Sequence, residues 1–327
     1  MFPGDVSDDS PDEMDVTHLP EKARKHVHGA GLDSGRILGE NGIFREDFKK
    51  IYGFFGATFR KRNAKEGTCI LKREESQFTG MQVTFLGTNG WYDSSTGNTV
   101  STLISTRDYD IILDAGNGIA KADRYMSQDK PVFLFLSHFH LDHTEGLHVL
   151  VKFRFKKGLT ICGQIGTTAD LAGLVREPYT VPLEQVPFAV TVTELADGVH
   201  ELPFKVTCLP LVHPVPCRGF RFEIDGKVIT YCTDTGICDN AITLARGADL
   251  LITECGLKPG QKSPGWPHLN PEDAIHIAKA AKVKRLALMH FGAEVYHTIE
   301  ERRVLKVQFG EECPGLVVAE DGMTVDV

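Results

Sequence analysis

Hydrophobic positions change their spacing along the chain, and that spacing predicts the secondary structure. From residue 81 onwards, apolar runs predict strands at 81–87, 99–106, 109–114, 131–137, 159–162, 188–194, 205–212, 219–224, 227–233, 249–255 and 285–290. Apolar residues at helical spacing predict helices at about 145–155, 167–175, 240–246, 271–281 and 298–308. Strands dominate the first part, and strands alternate with helices in the second. We therefore expect an α/β domain over 81–327, with sheets packed face to face and helices outside.

The first 80 residues follow a different pattern. Residues 1–20 are acidic and rich in Asp, Ser and Pro, which predicts a disordered tail. Within 21–80, Phe44, Phe48 and Ile51 recur at helical spacing, which predicts a helical extension followed by a linker. The apolar face of this helix can pack on the main domain or on a second subunit, so a homodimer stays open. A lid or substrate-binding arm near the active site and a helix on a membrane surface are the other interpretations.

Composition restricts the class of protein. The 327 residues are 42% hydrophobic and 24% charged, as is typical of a globular protein. The formal net charge of −8 provides no overall positive field, which disfavours a nucleic-acid partner without excluding one. The chain has no apolar run long enough to cross a membrane, and its N-terminus is acidic where a secretory signal is basic. We therefore expect a cytoplasmic protein with no membrane partner.

One short segment carries the clearest chemical signal. The apolar run 131–137 ends in His138, His140, Asp142 and His143. Two histidines two residues apart in an extended segment point to one side and can share an ion, while Asp142 and His143 can reach a second ion as the chain turns. Burying this many polar groups without a counter-ion would be costly. The segment therefore predicts a site for two divalent metal ions, for which zinc, manganese and iron are all suitable.

Three more polar residues end apolar strands in the same way. His213 follows the predicted strand 205–212, Asp234 follows the strand 227–233, and His290 ends the strand 285–290. Four strand ends that present such side chains predict one site along an edge of the sheets, because metal-binding residues would not end four separate strands by chance.

This pattern resembles the metallo-β-lactamase fold superfamily, whose fold is a four-layered αβ/βα sandwich with metals at one edge. The resemblance covers 81 to about 310. It implies that the first metal is held by His138, His140 and His213, the second by Asp142, His143 and His290, and that Asp234 bridges them. It also implies that a hydroxide shared by the two ions is the nucleophile. Asp142 is a candidate catalytic residue because it could orient that hydroxide.

The surroundings of the ligands resemble the ribonuclease Z-like branch of the superfamily. The loop 211–223 around the third histidine and the turns 114–118 and 231–236 carry this likeness. In that branch, a histidine placed like His268 assists phosphoryl chemistry. Asn270 is a good N-cap for the helix that follows, so His268 should lie just ahead of a helix N-terminus, a region suited to anions. The alternative is that His268 has only a structural role, either in capping the helix or in packing against its neighbours.

The chain departs from true ribonuclease Z in one respect. Residues 144–212 contain no long glycine-rich arm of the kind that grips transfer RNA, and 175–187 resembles compact members, including phosphodiesterases for cyclic nucleotides or cyclic sugar phosphates. The leading hypothesis is therefore a dinuclear phosphodiesterase for a small or cyclic phosphodiester. A hydrolase of carboxylic or sulfate esters or of lactones, an endoribonuclease that processes the 3′ end of transfer RNA, and a non-catalytic binding protein are the alternatives.

Overall fold

The computed structural model describes residues 80–327. The predicted acidic tail and most of the helical extension lie outside the described residues, as do the lid, dimer and membrane-surface interpretations attached to that extension. Within 80–327, no helix is both long enough and apolar enough to cross a membrane.

Two β-sheets make up the centre of the described part. Its strands, numbered along the chain, are β1 (Gln82–Gly87), β2 (Asn89–Gly90), β3 (Ser101–Ser105), β4 (Asp110–Leu113), β5 (Val132–Phe135), β6 (Leu159–Gln164), β7 (Val190–Leu195), β8 (Gly198–Glu201), β9 (Lys205–Pro210), β10 (Arg218–Ile224), β11 (Lys227–Cys232), β12 (Leu250–Cys255), β13 (Leu286–Gly292), β14 (Leu316–Val318) and β15 (Thr324–Asp326). The first sheet has the order β15-β1-β3-β4-β5-β6-β7, and the second has the order β14-β13-β12-β11-β10-β9-β8, with β2 paired to β13. Strands β4 to β7 are parallel to one another, as are β11 to β14.

Helices flank both sheets. The α-helices of the described part are α1 (Leu141–Thr144), α2 (Thr167–Leu174), α3 (Asp239–Ala245), α4 (Pro271–Ala281) and α5 (Ile299–Phe309). Three 3-10 helices span Asn117–Arg124, Glu145–Lys152 and Leu183–Gln185. As predicted, Asn270 caps α4, because its side-chain oxygen accepts a 2.8 Å hydrogen bond from the backbone N–H of Asp273.

The buried side chains divide into three clusters, which define four layers. Alternate residues of each strand face opposite ways. Phe135 of β5 points between the sheets and packs on Phe220 of β10, with ring centroids 5.2 Å apart. Its neighbour Leu134 points outwards into a cluster with Leu147 and the other helical residues on that face. Leu251 of β12 belongs to the third cluster, against α3 and α4. The predicted αβ/βα sandwich is therefore confirmed.

All eleven predicted strands form, each within a few residues of its expected limits. The predicted helices also form, although the one expected at 145–155 is a 3-10 helix over Glu145–Lys152. The pattern missed β2, β8, β14 and β15, which have only two to four residues each. Such short segments contain too few alternating positions to show a period, and pairing with a longer neighbour defines them.

Candidate metal centre

The structure brings all seven predicted ligands together at one edge of the sandwich. The first group contains His138, His140 and His213, with Asp234 beside them, and their ligand atoms lie within 4.8 Å of one another. Nδ1 of His140 is 3.0 Å from Nε2 of His138 and 3.2 Å from Nε2 of His213. Three imidazoles from two separate strand ends therefore converge on one small volume.

The second group consists of Asp142, His143 and His290. The Nε2 atoms of the two histidines are 3.2 Å apart, and Nε2 of His290 is 3.3 Å from Oδ2 of Asp142. The side chains of all three residues are buried. A second compact set of nitrogen and oxygen donors thus lies next to the first.

Asp234 lies between the two groups and presents one oxygen to each. Its Oδ1 is 3.2 Å from Nε2 of His143 and 3.1 Å from Nε2 of His290. Its Oδ2 faces the other group, 3.8 Å from Nε2 of His138 and 4.0 Å from Nε2 of His213. This is the arrangement expected of a carboxylate that bridges two ions.

The donor chemistry of the first group fits a divalent metal. Burial lowers the pKa of His138 and His140 below the ordinary value and that of His213 to about 4, so these imidazoles are neutral. Neutral imidazole is the form that binds metals. Nitrogen lone pairs that converge at about 3 Å repel one another unless a proton or a cation lies between them, and a divalent cation satisfies all of them together.

The second group has a different electrostatic balance. Burial alone would lower the pKa of His143, but the carboxylates of Asp234, Asp142 and Asp114 raise it well above the ordinary value. The pKa of His290 is raised against the same desolvation, first by Asp234 and then by its hydrogen bond to Asp142. A bound cation would take the place of these protons, since metal binding to histidine releases protons.

Asp114, at the end of β4, holds the second group in place. Its Oδ2 lies 2.8 Å from Nδ1 of His143 and accepts hydrogen bonds from the hydroxyls of Ser137 (2.8 Å) and Tyr231 (2.7 Å). A hydrogen bond to one ring nitrogen fixes the tautomer, so Nε2 of His143 is left to face Asp234. From the sequence, Asp114 was expected in a turn that resembles the family, without a role in the site.

The segment after β1 also shapes the second group. The backbone N–H of Trp91 donates a 2.8 Å hydrogen bond to Oδ2 of Asp142. A Cβ added to Gly90 would lie 2.4 Å from Cε1 of His290, so only glycine leaves room for that ring. Positive φ angles, which are rare for residues other than glycine, recur around the site at Trp91, Asp114, Asp234 and His290. Backbone strain of this kind clusters at functional sites.

His268 lies beside the metal-binding groups and is paired with a buried glutamate. Its Nδ1 is 2.9 Å from both carboxylate oxygens of Glu254, and its ring falls in a cluster with Asp234 and His290. Burial favours the neutral ring, but the Glu254 carboxylate raises the pKa of His268 to about 9. Glu254 itself accepts the backbone N–H of Thr235 at 2.6 Å. Glu254 was not predicted as a site residue, although an acidic residue inside the apolar run 249–255 is a signal visible in the sequence.

A cavity of about 440 Å³ opens over these residues. Asp142, Asp234 and His268 line its floor, and Trp266 forms part of its wall. The indole of Trp266 stacks on the ring of His140, with centroids 5.6 Å apart and planes inclined by 11°. The site is therefore open to a ligand of small-molecule size.

Comparison with known proteins agrees with this geometry. Residues 109–291 match the family described as the Beta-lactamase superfamily domain, so the chain belongs to the metallo-β-lactamase superfamily. It is 28% identical over 216 residues to the "Probable metallo-hydrolase YhfI" of Bacillus subtilis, covering 64% of this chain and 86% of the relative. It is 24% identical over 306 residues to ribonuclease BN of Cronobacter sakazakii, covering 76% of this chain and all of the relative. The crystal structure of YhfI superposes with a TM-score of 0.62 at 25% identity, over 76% of this chain and 99% of that one.

Fold, family and donor set together define a hydrolase that depends on divalent metal ions. The likeness to ribonuclease BN and to YhfI also supports the ribonuclease Z-like resemblance found in the sequence.

Proposed function

We propose that this protein is a dinuclear metal-dependent phosphodiesterase that cleaves a small or cyclic phosphodiester. The observation that carries the proposal is the His268–Glu254 pair, which lies next to Asp234, the carboxylate shared by the two donor groups. Hydrolysis of a phosphodiester needs both stabilisation of negative charge and a proton for the leaving oxygen. The two donor groups suit the first requirement, and the His268–Glu254 pair suits the second.

We assign the ligands as the family resemblance implied. One ion would be held by His138, His140 and His213, the other by Asp142, His143 and His290, with Asp234 shared between them. When bound, two divalent cations clamp a phosphate group, polarise it and activate water.

The chain's own residues perform the remaining tasks. Trp91 holds one oxygen of Asp142 through its backbone N–H, which fixes the carboxylate that would orient the attacking water. Glu254 holds Nδ1 of His268, which leaves Nε2 available to donate a proton to the leaving oxygen. The Glu254 carboxylate also stabilises the protonated ring before that transfer.

The cavity favours a substrate with one negative charge. Within residues 80–327, none of the side chains that line it is lysine or arginine, and Glu294 adds a carboxylate to its rim. Binding of a polynucleotide depends on neutralising several phosphates with such cations. Although one relative is named ribonuclease BN, the cavity of this chain therefore supports a small phosphodiester in preference to RNA.

The proposal is tested with substrates that share one leaving group. The metal-loaded full chain should hydrolyse bis(p-nitrophenyl) phosphate faster than p-nitrophenyl acetate or p-nitrophenyl sulfate. Replacing His268 with Gln should lower kcat for the diester by about 100-fold or more, because general acid catalysis contributes about 10²–10⁴. The matched variant His276→Gln, on the exposed face of α4, should leave kcat unchanged. Hydrolysis of the acetate, the sulfate or a lactone without any cleavage of the diester would disprove the assignment.

A further inference from the structure

The chain contains only two tryptophans, and both line the cavity above the metal-binding groups. Trp91 comes from the segment after β1, whereas Trp266 precedes α4 in the second half of the chain. They are thus far apart in sequence and are brought to one cavity by the fold. Large aromatic side chains at a concave site are a common feature of surfaces that bind a ligand.

Both indoles remain open to a ligand. Trp91 is 64% exposed, and Trp266 is 38% exposed although it also packs on His140. Trp91 has a φ of 75°, a conformation that is unfavourable for a bulky residue. The fold therefore leaves a strained, exposed indole in the lining of the cavity, where it contributes little to the core.

Trp266 lies close to the proposed metal ligands. Its ring is stacked on His140, one of the proposed ligands, with centroids 5.6 Å apart. A planar group that stacks on Trp266 would therefore lie about the width of one aromatic ring from a phosphate held at the metal-binding groups. In a nucleotide, a single ribose joins the base to the phosphate, which is a spacing of this order.

The charges on the cavity wall restrict the ligand further. The rim carries the exposed carboxylate of Glu294 and, among the described residues that line the cavity, no lysine or arginine. A carboxylate repels a second anionic group but accepts hydrogen bonds from hydroxyl and amino groups. The favoured ligand has one negative charge at the metal end and an uncharged part that bears hydrogen-bond donors.

We infer that Trp91 and Trp266 form a stacking subsite for the base of a nucleoside phosphodiester, and that this subsite determines substrate choice. The inference rests on the proposed phosphodiesterase function and names its substrate class. Aromatic side chains stack on any base, because every base presents a π-face. The subsite should therefore distinguish ligands with a base from ligands without one, and discriminate only weakly between bases.

Binding provides the first test. The probes are the phosphorothioate forms of adenosine 3′,5′-cyclic phosphate and of methyl riboside 3′,5′-cyclic phosphate, which lacks the base. Calorimetry on the metal-loaded full chain should show that the adenosine ligand binds about 5- to 150-fold more tightly, the range expected for one stacked base. The adenosine ligand should also quench the intrinsic tryptophan fluorescence, which reports only on this cavity because the chain has no other tryptophan. Equal dissociation constants for the two ligands would overturn the inference.

Variants assign the effect to the side chains. Trp266→Leu and Trp91→Leu should each reduce the ratio of the two dissociation constants to about threefold or less, whereas Trp266→Phe should keep part of it. Trp91→Leu retains the backbone N–H that Asp142 accepts, so it changes only the indole. Tyr179→Leu removes an aromatic side chain that is 71% exposed and lies outside the cavity, and it should leave the ratio unchanged. Leucine variants that weaken both ligands equally would show a purely structural role and contradict the inference.

The two proposals can fail separately. If the chain cleaves bis(p-nitrophenyl) phosphate but binds both riboside ligands equally, the phosphodiesterase assignment stands and the stacking subsite is wrong. If no phosphodiester is cleaved while the adenosine ligand still binds more tightly and loses that advantage in Trp266→Leu, the subsite stands and the proposed reaction is wrong.

Discussion

Arg302 of α5 donates a 2.6 Å hydrogen bond to the side-chain oxygen of Asn89, and this contact connects a helix to the metal-binding edge of the sheets. The guanidinium is completely buried and also donates to the hydroxyl of Thr96 and lies over the ring of Phe291. Asn89 immediately precedes Gly90 and Trp91, the two residues that shape the second donor group. The buried Arg302 thus supports the segment from Asn89 to Trp91, on which the second donor group depends.

We expect Arg302→Met to lower the free energy of unfolding by about 2–4 kcal/mol, because it removes the charged donor that the buried oxygens of Asn89 and Thr96 share. Denaturant titration followed by circular dichroism measures the change. The neighbouring Arg303→Met is the control, since Arg303 is exposed and pairs with Glu320 at the surface. Similar losses in the two variants would show that the buried network is not what stabilises the fold.

Gly90→Ala should disrupt the second donor group selectively. The added Cβ would fall 2.4 Å from Cε1 of His290 and displace that ring. We expect the bound metal, measured by mass spectrometry, to fall from two ions towards one per chain, and kcat to fall by about 100-fold, as small misplacements in a site can cause. Gly173→Ala in α2 is the matched control, because an added Cβ there meets no atom within 4 Å. Two ions retained in Gly90→Ala would contradict this reading of the geometry.

Glu254→Gln tests the buried pair. A glutamine can still accept one hydrogen bond but cannot stabilise a protonated imidazole, so kcat for the diester should fall by about 100-fold. KM and the number of bound metal ions should change little, because Glu254 lies outside both donor groups. Glu223→Gln, on the partly exposed strand β10, should leave kcat unchanged. A rise in KM with kcat preserved would point to substrate binding as the role of the pair.

Removal of metal should destabilise the protein as well as inactivate it. An ion present at 100 times its Kd stabilises the folded state by about 2.7 kcal/mol, which corresponds to about 5–10 °C in Tm for a domain of this size. A chelator should therefore lower Tm by about that amount, and addition of zinc or manganese should restore it. Asp234→Asn should show a much smaller response to the chelator, because Asp234 faces both donor groups. An unchanged Tm in the natural chain would argue against ions bound at this site.

The sequence predicted the strands and most helices and, through the family resemblance, the four-layered fold and the seven proposed donor residues. Each ligand ends or follows an apolar strand, and the apolar runs that form these strands are visible in the sequence itself, so both features are local. His138 to His143 lie within six residues and required no knowledge of distant contacts. The meeting of His213, Asp234 and His290 with this segment was expected because all of them lie at strand ends and because the family resemblance groups them in one site.

The other residues that serve the site are defined by contacts between distant parts of the chain. Glu254 is an acidic residue in a mostly apolar strand, and its partner His268 is fourteen residues away across a turn. Asp114 acquires its role from contacts with Ser137, His143 and Tyr231, which come from other elements. Trp91 and Trp266 meet at one cavity although 175 positions separate them. Local patterns report which face of a strand or helix is buried, whereas the partner that a buried charge or an exposed indole finds depends on long-range packing.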